Sequence, residues 1–145
     1  MEKICKQKII GNKKYFCYFE LALQVIGGKW KVNILFHLGN KSVMRFGELK
    51  KAIPQISEKM LIQRLRELEA DGMIHRKVFK QVPPKVEYSL TDLGLSLVPV
   101  LLDLRKWGVK YENETGLYKY FKDDDRYEQP NDFPKMVCKP MADRK

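Results

Sequence analysis

From Tyr18 onward the apolar residues recur at steps of three and four, and after Ile74 the step shortens to about two. Phe19, Leu21, Ala22, Val25 and Ile26 predict a short amphipathic helix over 18–26, stopped by Gly27–Gly28. Trp30, Ile34, Leu35 and Leu38 supply the inward stripe of a second helix over 29–38, with Lys29 and Lys31 expected to face water and Gly39–Asn40 to close it. Phe46, Leu49 and Ile53 mark a third helix. Pro54–Gln55–Ile56 breaks it, because proline fixes its own φ and disfavours helical geometry in the residue before it. Ser57 is a good N-cap for a fourth helix, in which Leu61, Leu65 and Leu68 repeat until Asp71–Gly72 ends the run.

Val78, Lys80 and Val82, then Val86, Tyr88 and Leu90, alternate on either side of Pro83–Pro84 and predict a β-hairpin with a rigid tip. A long helix follows, opening at Leu90–Thr91–Asp92–Leu93–Gly94 with Thr91 as N-cap and running to about Asn113. Pro99 removes one backbone donor and is expected to kink it. Its apolar residues occupy more than one face, too many for one small core. Part should bury against the other helices and part against a second copy of the chain, with Leu97, Leu101, Leu104, Trp107 and Tyr111 as the candidate dimer contacts. Residues 1–16 are set apart as a basic arm and 17–115 as the folded domain. Residues 116–145 form a polar tail with Asp123–Asp124–Asp125, expected to be partly ordered through Leu117, Tyr118, Tyr120 and Phe121.

Two short helices joined by a three-residue turn form the unit that carries a helix into the DNA major groove, and a ribbon directly after it forms a wing. The expected fold class is therefore α+β, mostly helical: a winged helix-turn-helix with a two-stranded β wing and added terminal dimerisation helices. A plain helical hairpin buried in a core, followed by an ordinary hairpin carrying solvated lysines, is the bland alternative. At about 100° per residue, Leu61, Leu65 and Leu68 share one side of the fourth helix. Lys59, Gln63 and Arg66 lie opposite, with Arg64 on a flank. Ser57, Lys59 and Gln63, early in the helix, are placed to meet bases or nearby phosphates: glutamine pairs bidentately with adenine and lysine donates to guanine. Arg45, Arg64 and Arg66 are candidates for phosphate, which positions without reading sequence. Lys80 and Lys85 flank the wing tip. Glu67 and Glu69 come late in the helix, where negative charge is kept from the DNA backbone.

The charge distribution supports this placement. The 145 residues carry a net +10. Residues 1–14 hold five lysines against one glutamate, 41–90 eleven basic against six acidic residues, and 116–145 seven against six. The positive field thus falls on the arm and the helix-turn-helix region, where a polyanion would be met. No apolar run approaches membrane-span length and no signal peptide opens the chain, so a cytoplasmic protein without membrane partners is expected.

Cys5, Cys17 and Cys138 show none of the paired spacings that bind zinc, and His37 and His75 lie far in sequence from any Cys or Asp partner, so neither metal nor cofactor is expected. Cys17 stands just before the first helix with Lys13 and Lys14 nearby, a setting that favours the reactive thiolate. It is the candidate redox-sensing residue, with Cys5 and Cys138 as possible resolving thiols. The competing reading makes it a small buried hydrophobe. A thiol-dependent enzyme is disfavoured: there is no CxxC, no phosphate-cradling glycine loop and no acid/base pair in register. A non-specific architectural or RNA-binding protein using only its positive field is the alternative function.

Several blocks together resemble a known family. Cys17, Gly27–Gly28–Lys29–Trp30, Arg45–Phe46–Gly47–Glu48–Leu49 and Ile56–Ser57–Glu58–Lys59–Met60–Leu61–Ile62–Gln63–Arg64–Leu65 come first. Val82–Pro83–Pro84–Lys85–Val86–Glu87–Tyr88–Ser89–Leu90–Thr91 and Trp107–Gly108 follow. In this order and spacing they are similar to the HxlR-type winged helix-turn-helix transcriptional regulators, bacterial and archaeal relatives of the MarR group. The resemblance covers Cys17 to Thr115. It implies a homodimer built on terminal helices, binding a near-palindromic double-stranded DNA operator and acting as repressor or activator. Several members sense oxidants or electrophiles through the cysteine at the position of Cys17. This chain departs from the pattern at Tyr18, where proline is frequent. The effector, whether small molecule or oxidant, stays open.

Overall fold

The computed structural model describes residues 6–115 in two compact units that meet in sequence between Leu95 and Ser96. The tail from 116, with Cys138, and the first five residues, with Cys5, lie outside the described residues.

The first unit opens with two short strands that the hydrophobic pattern does not show. Lys8–Ile10 (β1) pairs antiparallel with Lys13–Tyr15 (β2) across a turn at Gly11, so the described part of the lysine-rich arm holds a hairpin. Each strand has three residues, too few for a period to register. Three helical stretches follow as expected in kind: Tyr18–Ile26 (α1), Lys31–Lys41 (α2) and Phe46–Ala52 (α3). The end of α2 differs from expectation. Gly39 and Asn40 lie inside it, and the helix closes at Ser42, whose N–H donates to Leu38 O at 2.9 Å. Lys31 is a second correction: it is buried rather than facing water, because its ammonium finds a carboxylate on another helix.

Ser57 caps Glu58–Ala70 (α4), its Oγ accepting from Met60 N at 3.1 Å. At the other end Gly72 takes φ +72°, which a residue without Cβ adopts freely, and Met73 N reaches back to Leu68 O at 2.9 Å.

Ile74–Phe79 (β4) and Lys85–Leu90 (β5) form the wing, in register from Ile74↔Leu90 to Phe79↔Lys85. The first strand starts four residues before the alternation at Val78 indicated, because Ile74 is held by the core. Val43–Arg45 (β3), unforeseen and again three residues long, pairs with β5 to give a three-stranded sheet of order β3-β5-β4. The core is made by Ile34, Leu35 and Leu38 of α2, Met44, Leu49, Ile53 and Ile56, the three leucines of α4, and Met73, Ile74, Tyr88 and Leu90.

Asp92–Thr115 (α5) starts in this unit, with Gly94 N donating to Thr91 Oγ1 at 3.0 Å, and its greater part is the described portion of the second unit. The architecture is α+β, mostly helical: a winged helix-turn-helix with a two-stranded wing and a long C-terminal helix.

Candidate nucleic-acid interface

Helix α4 hides one side and offers the other. Leu61, Leu65 and Leu68 are at most 2 % exposed, while Lys59, Gln63 and Arg66 are open to solvent. Burying three leucines against α2 and β4 fixes the rotation of the helix, and that rotation turns the polar residues outward.

Not every candidate is equally free. Ser57 spends its hydroxyl oxygen on the helix cap. Arg45, exposed, caps α3 through its backbone N–H, which Glu48 Oε2 accepts at 2.7 Å. Arg64 is half-buried, and its guanidinium bonds both carboxylate oxygens of Glu67, at 2.7 and 3.1 Å. Gln63 Nε2 donates to Glu67 Oε1 at 3.1 Å. Burial works to raise the Glu67 carboxyl, but hydrogen bonds from Arg64, Lys31 and Gln63 and the Lys31 charge outweigh it and hold the group at about 2.

On the wing, Lys80 is exposed. Lys85 is tied to Glu87 at 2.7 Å, with its ammonium 4.5 Å from the centre of the Phe79 ring. Arg76 and Lys77 of β4 are exposed as well, and the alternation that predicts the strand, starting at Val78, does not reach them. Arg76 shares with Arg66, Ile62, Leu65, Glu69 and Tyr88 a cavity of about 400 Å³ between α4 and the sheet. Helix α4 and the wing thus present lysine, arginine and glutamine side chains to solvent, donors of the kind that suit phosphate oxygens and base edges.

Cys17 is exposed and free, and it is the N-cap of α1, its Sγ accepting from Glu20 N at 3.4 Å. Lys13, close in sequence, gives its ammonium to Asp71. In the second unit Leu101 is buried and Leu97 half-buried, while Leu104, Trp107 and Tyr111 are each about half exposed or more, the two rings stacked with centroids 5.5 Å apart. Among the described residues no group of three His, Cys, Asp or Glu side chains is arranged to hold a metal, and no helix is long and apolar enough to cross a membrane.

The chain is 55 % identical over 102 residues to the HTH-type transcriptional regulator YkvN of Bacillus subtilis (strain 168), covering 70 % of this chain and 86 % of YkvN. The redox regulator HypR, solved in oxidised and reduced forms, superposes with TM-scores of 0.61 and 0.64 at 49 % and 46 % identity. Those matches cover 65 % and 69 % of this chain and 96 % and 98 % of HypR. Diamide-treated YodB of B. subtilis superposes with TM-score 0.55 at 34 % identity, over 66 % of this chain and 94 % of YodB. The family model for HxlR-like helix-turn-helix proteins matches residues 25–116. With that match laid over the helices and wing described above, the chain belongs to the HxlR-like family of DNA-binding helix-turn-helix transcriptional regulators.

Proposed function

We propose that this regulator acts as a homodimer on a near-palindromic operator, reading bases with Lys59 and Gln63 while Arg45, Arg66 and Lys80 hold phosphate. The carrying observation is the open face of α4, where Lys59, Gln63 and Arg66 stand opposite three buried leucines. A twofold dimer would set two such helices roughly 34 Å apart along the duplex. Leu104, Trp107 and Tyr111 on α5 offer the second copy an apolar stripe at helical spacing, with the half-buried Leu97 in line with it two turns earlier. Leu101 is too buried in one chain to add much. Selection of duplexes by the purified protein, then gel shifts, tests this reading. Gln63→Ala should relax base preference at one position of each half-site, whereas Lys80→Ala should weaken all DNA alike. Equal binding to selected and scrambled duplexes would instead indicate an architectural protein.

The operator affinity is further proposed to respond to oxidation at Cys17. Its support is an exposed thiol that caps α1, together with likeness to HypR and YodB, whose structures are described as oxidised, reduced and diamide-treated. Diamide takes two electrons and two protons from a pair of thiols and leaves a disulfide. Here the pair is Cys17 with Cys17 of a second copy, or with Cys5 or Cys138. Loss of the diamide effect in Cys17→Ser is the expected result; indifference of the wild type to diamide removes the sensor.

A further inference from the structure

Lys31 is the one buried charged side chain among the described residues, at 6 % exposed. Its ammonium lies 3.1 Å from Glu67 Oε2 on α4 and 3.4 Å from the carbonyl oxygen of Val25 in the last turn of α1. The same Glu67 accepts from Gln63 Nε2 and from Arg64. One carboxylate therefore joins a buried cation behind the recognition helix to the amide on its open face.

The chemistry of the Gln63 bond is one-sided. A carboxylate only accepts, so it selects the nitrogen end of the amide and excludes the oxygen end. The two ends of a glutamine amide are nearly the same size, and turning it by about 180° exchanges donor for acceptor. Adenine in the major groove shows an acceptor, N7, beside a donor, N6–H, in a fixed order. An amide held one way round meets that order; one that turns freely matches it only part of the time. The Glu67 carboxyl, held down at about 2, stays ionised at any physiological pH, so the selection does not lapse.

We infer that Glu67, anchored from behind by Lys31, is the positioning residue that fixes the orientation of the Gln63 amide and so sets the base preference of the recognition helix. This rests on the proposed role of Gln63 as a base contact. Glu67 itself touches no base; it acts through Gln63.

The test uses the full-length protein and duplexes selected by the wild type, with wild type, Gln63→Ala, Glu67→Gln, Lys31→Met, Lys31→Arg and the Gln63→Ala/Glu67→Gln pair. Glu67→Gln keeps the shape of the side chain but both donates and accepts, so it no longer imposes one orientation. At the base pair where Gln63→Ala removes preference, Glu67→Gln should lose about tenfold of discrimination while scrambled DNA is bound within about twofold of wild type. In the Gln63→Ala background it should change nothing further. Lys31→Met should shift the same base pair in the same direction, and Lys31→Arg should restore it. Glu67→Asp, acceptor-only but too short to reach, is the second variant should Glu67→Gln not fold, and the same loss is expected of it. A lowered melting temperature with weaker binding to all DNA and unchanged discrimination would make the network merely structural and overturn the inference. If Gln63→Ala relaxes preference and Glu67→Gln does not, the inference falls and the base contact stands. If no base pair responds to Gln63→Ala, both fall.

Discussion

Lys13, on the second strand of the N-terminal hairpin, is ion-paired to Asp71, the residue that closes the recognition helix. Both side chains are mostly shielded, at 17 % and 15 % exposed, so solvent screens the pair less than an ordinary surface pair. In a double-mutant cycle with Lys13→Met and Asp71→Asn, the coupling should reach about 1 kcal/mol, at the upper end for such pairs. A coupling near zero by urea unfolding would show that the hairpin does not brace the helix.

Gly94→Ala should destabilise although alanine is the better helix former by about 1 kcal/mol. A Cβ at residue 94 would stand 2.2 Å from the carbonyl oxygen of Met73 and 3.3 Å from Leu90 Cδ2. That carbonyl cannot yield cheaply, because it accepts from Thr91 N at 3.1 Å and Thr91 Oγ1 at 3.2 Å. Overpacking against backbone is expected to win, with a net loss of about 1–3 kcal/mol in chemical denaturation. A neutral or stabilising substitution would contradict the close approach of α5 to the start of β4.

His37 gives stability a slope near neutral pH. Burial, and then the charge of Lys41, lower its pKa below 6.5. The folded state thus binds its proton less readily than the unfolded chain, so the contribution is complete above 6.5 and is lost as pH falls through the lower folded value. Unfolding free energy should drop from pH 7 to pH 5 in the wild type and drop less in His37→Gln. Identical slopes would remove His37 as the cause.

Glu67 acts in a more acid window. Its carboxyl falls from 4.5 to about 2 in the folded protein, so its stabilisation is whole above 4.5 and disappears as pH drops through about 2. The stability gap between wild type and Glu67→Gln, measured by urea unfolding, should therefore close between pH 5 and pH 2, a range set by those two values. A gap that stays constant would show that charge is not what Glu67 contributes.

The two wing lysines should part company on DNA. Lys80 is exposed, whereas Lys85 already has Glu87 at 2.7 Å and the Phe79 ring beneath it. Lys80→Ala should flatten the plot of log affinity against log salt by about 0.9, the worth of one phosphate, and Lys85→Ala by clearly less. Equal slopes would mean that the Lys85–Glu87 pair opens when DNA arrives.

Local rules carried the reading of this chain a long way. The proline turn after Ile53, the serine cap and the three leucines of α4 place the helix-turn-helix unit and decide which side of α4 faces out, because burial of one stripe dictates the opposite one. Lys59, Gln63 and Arg66 were legible for that reason. What remained hidden depended on partners distant in sequence. The strands Lys8–Ile10, Lys13–Tyr15 and Val43–Arg45 are too short to show a period and exist only through their pairings. Lys31 looks solvated in sequence because the groups it serves, Val25 O and Glu67, come together only when α1, α2 and α4 pack. Periodicity reports which face of an element is buried; which charge meets which across the core is settled by three-dimensional packing alone.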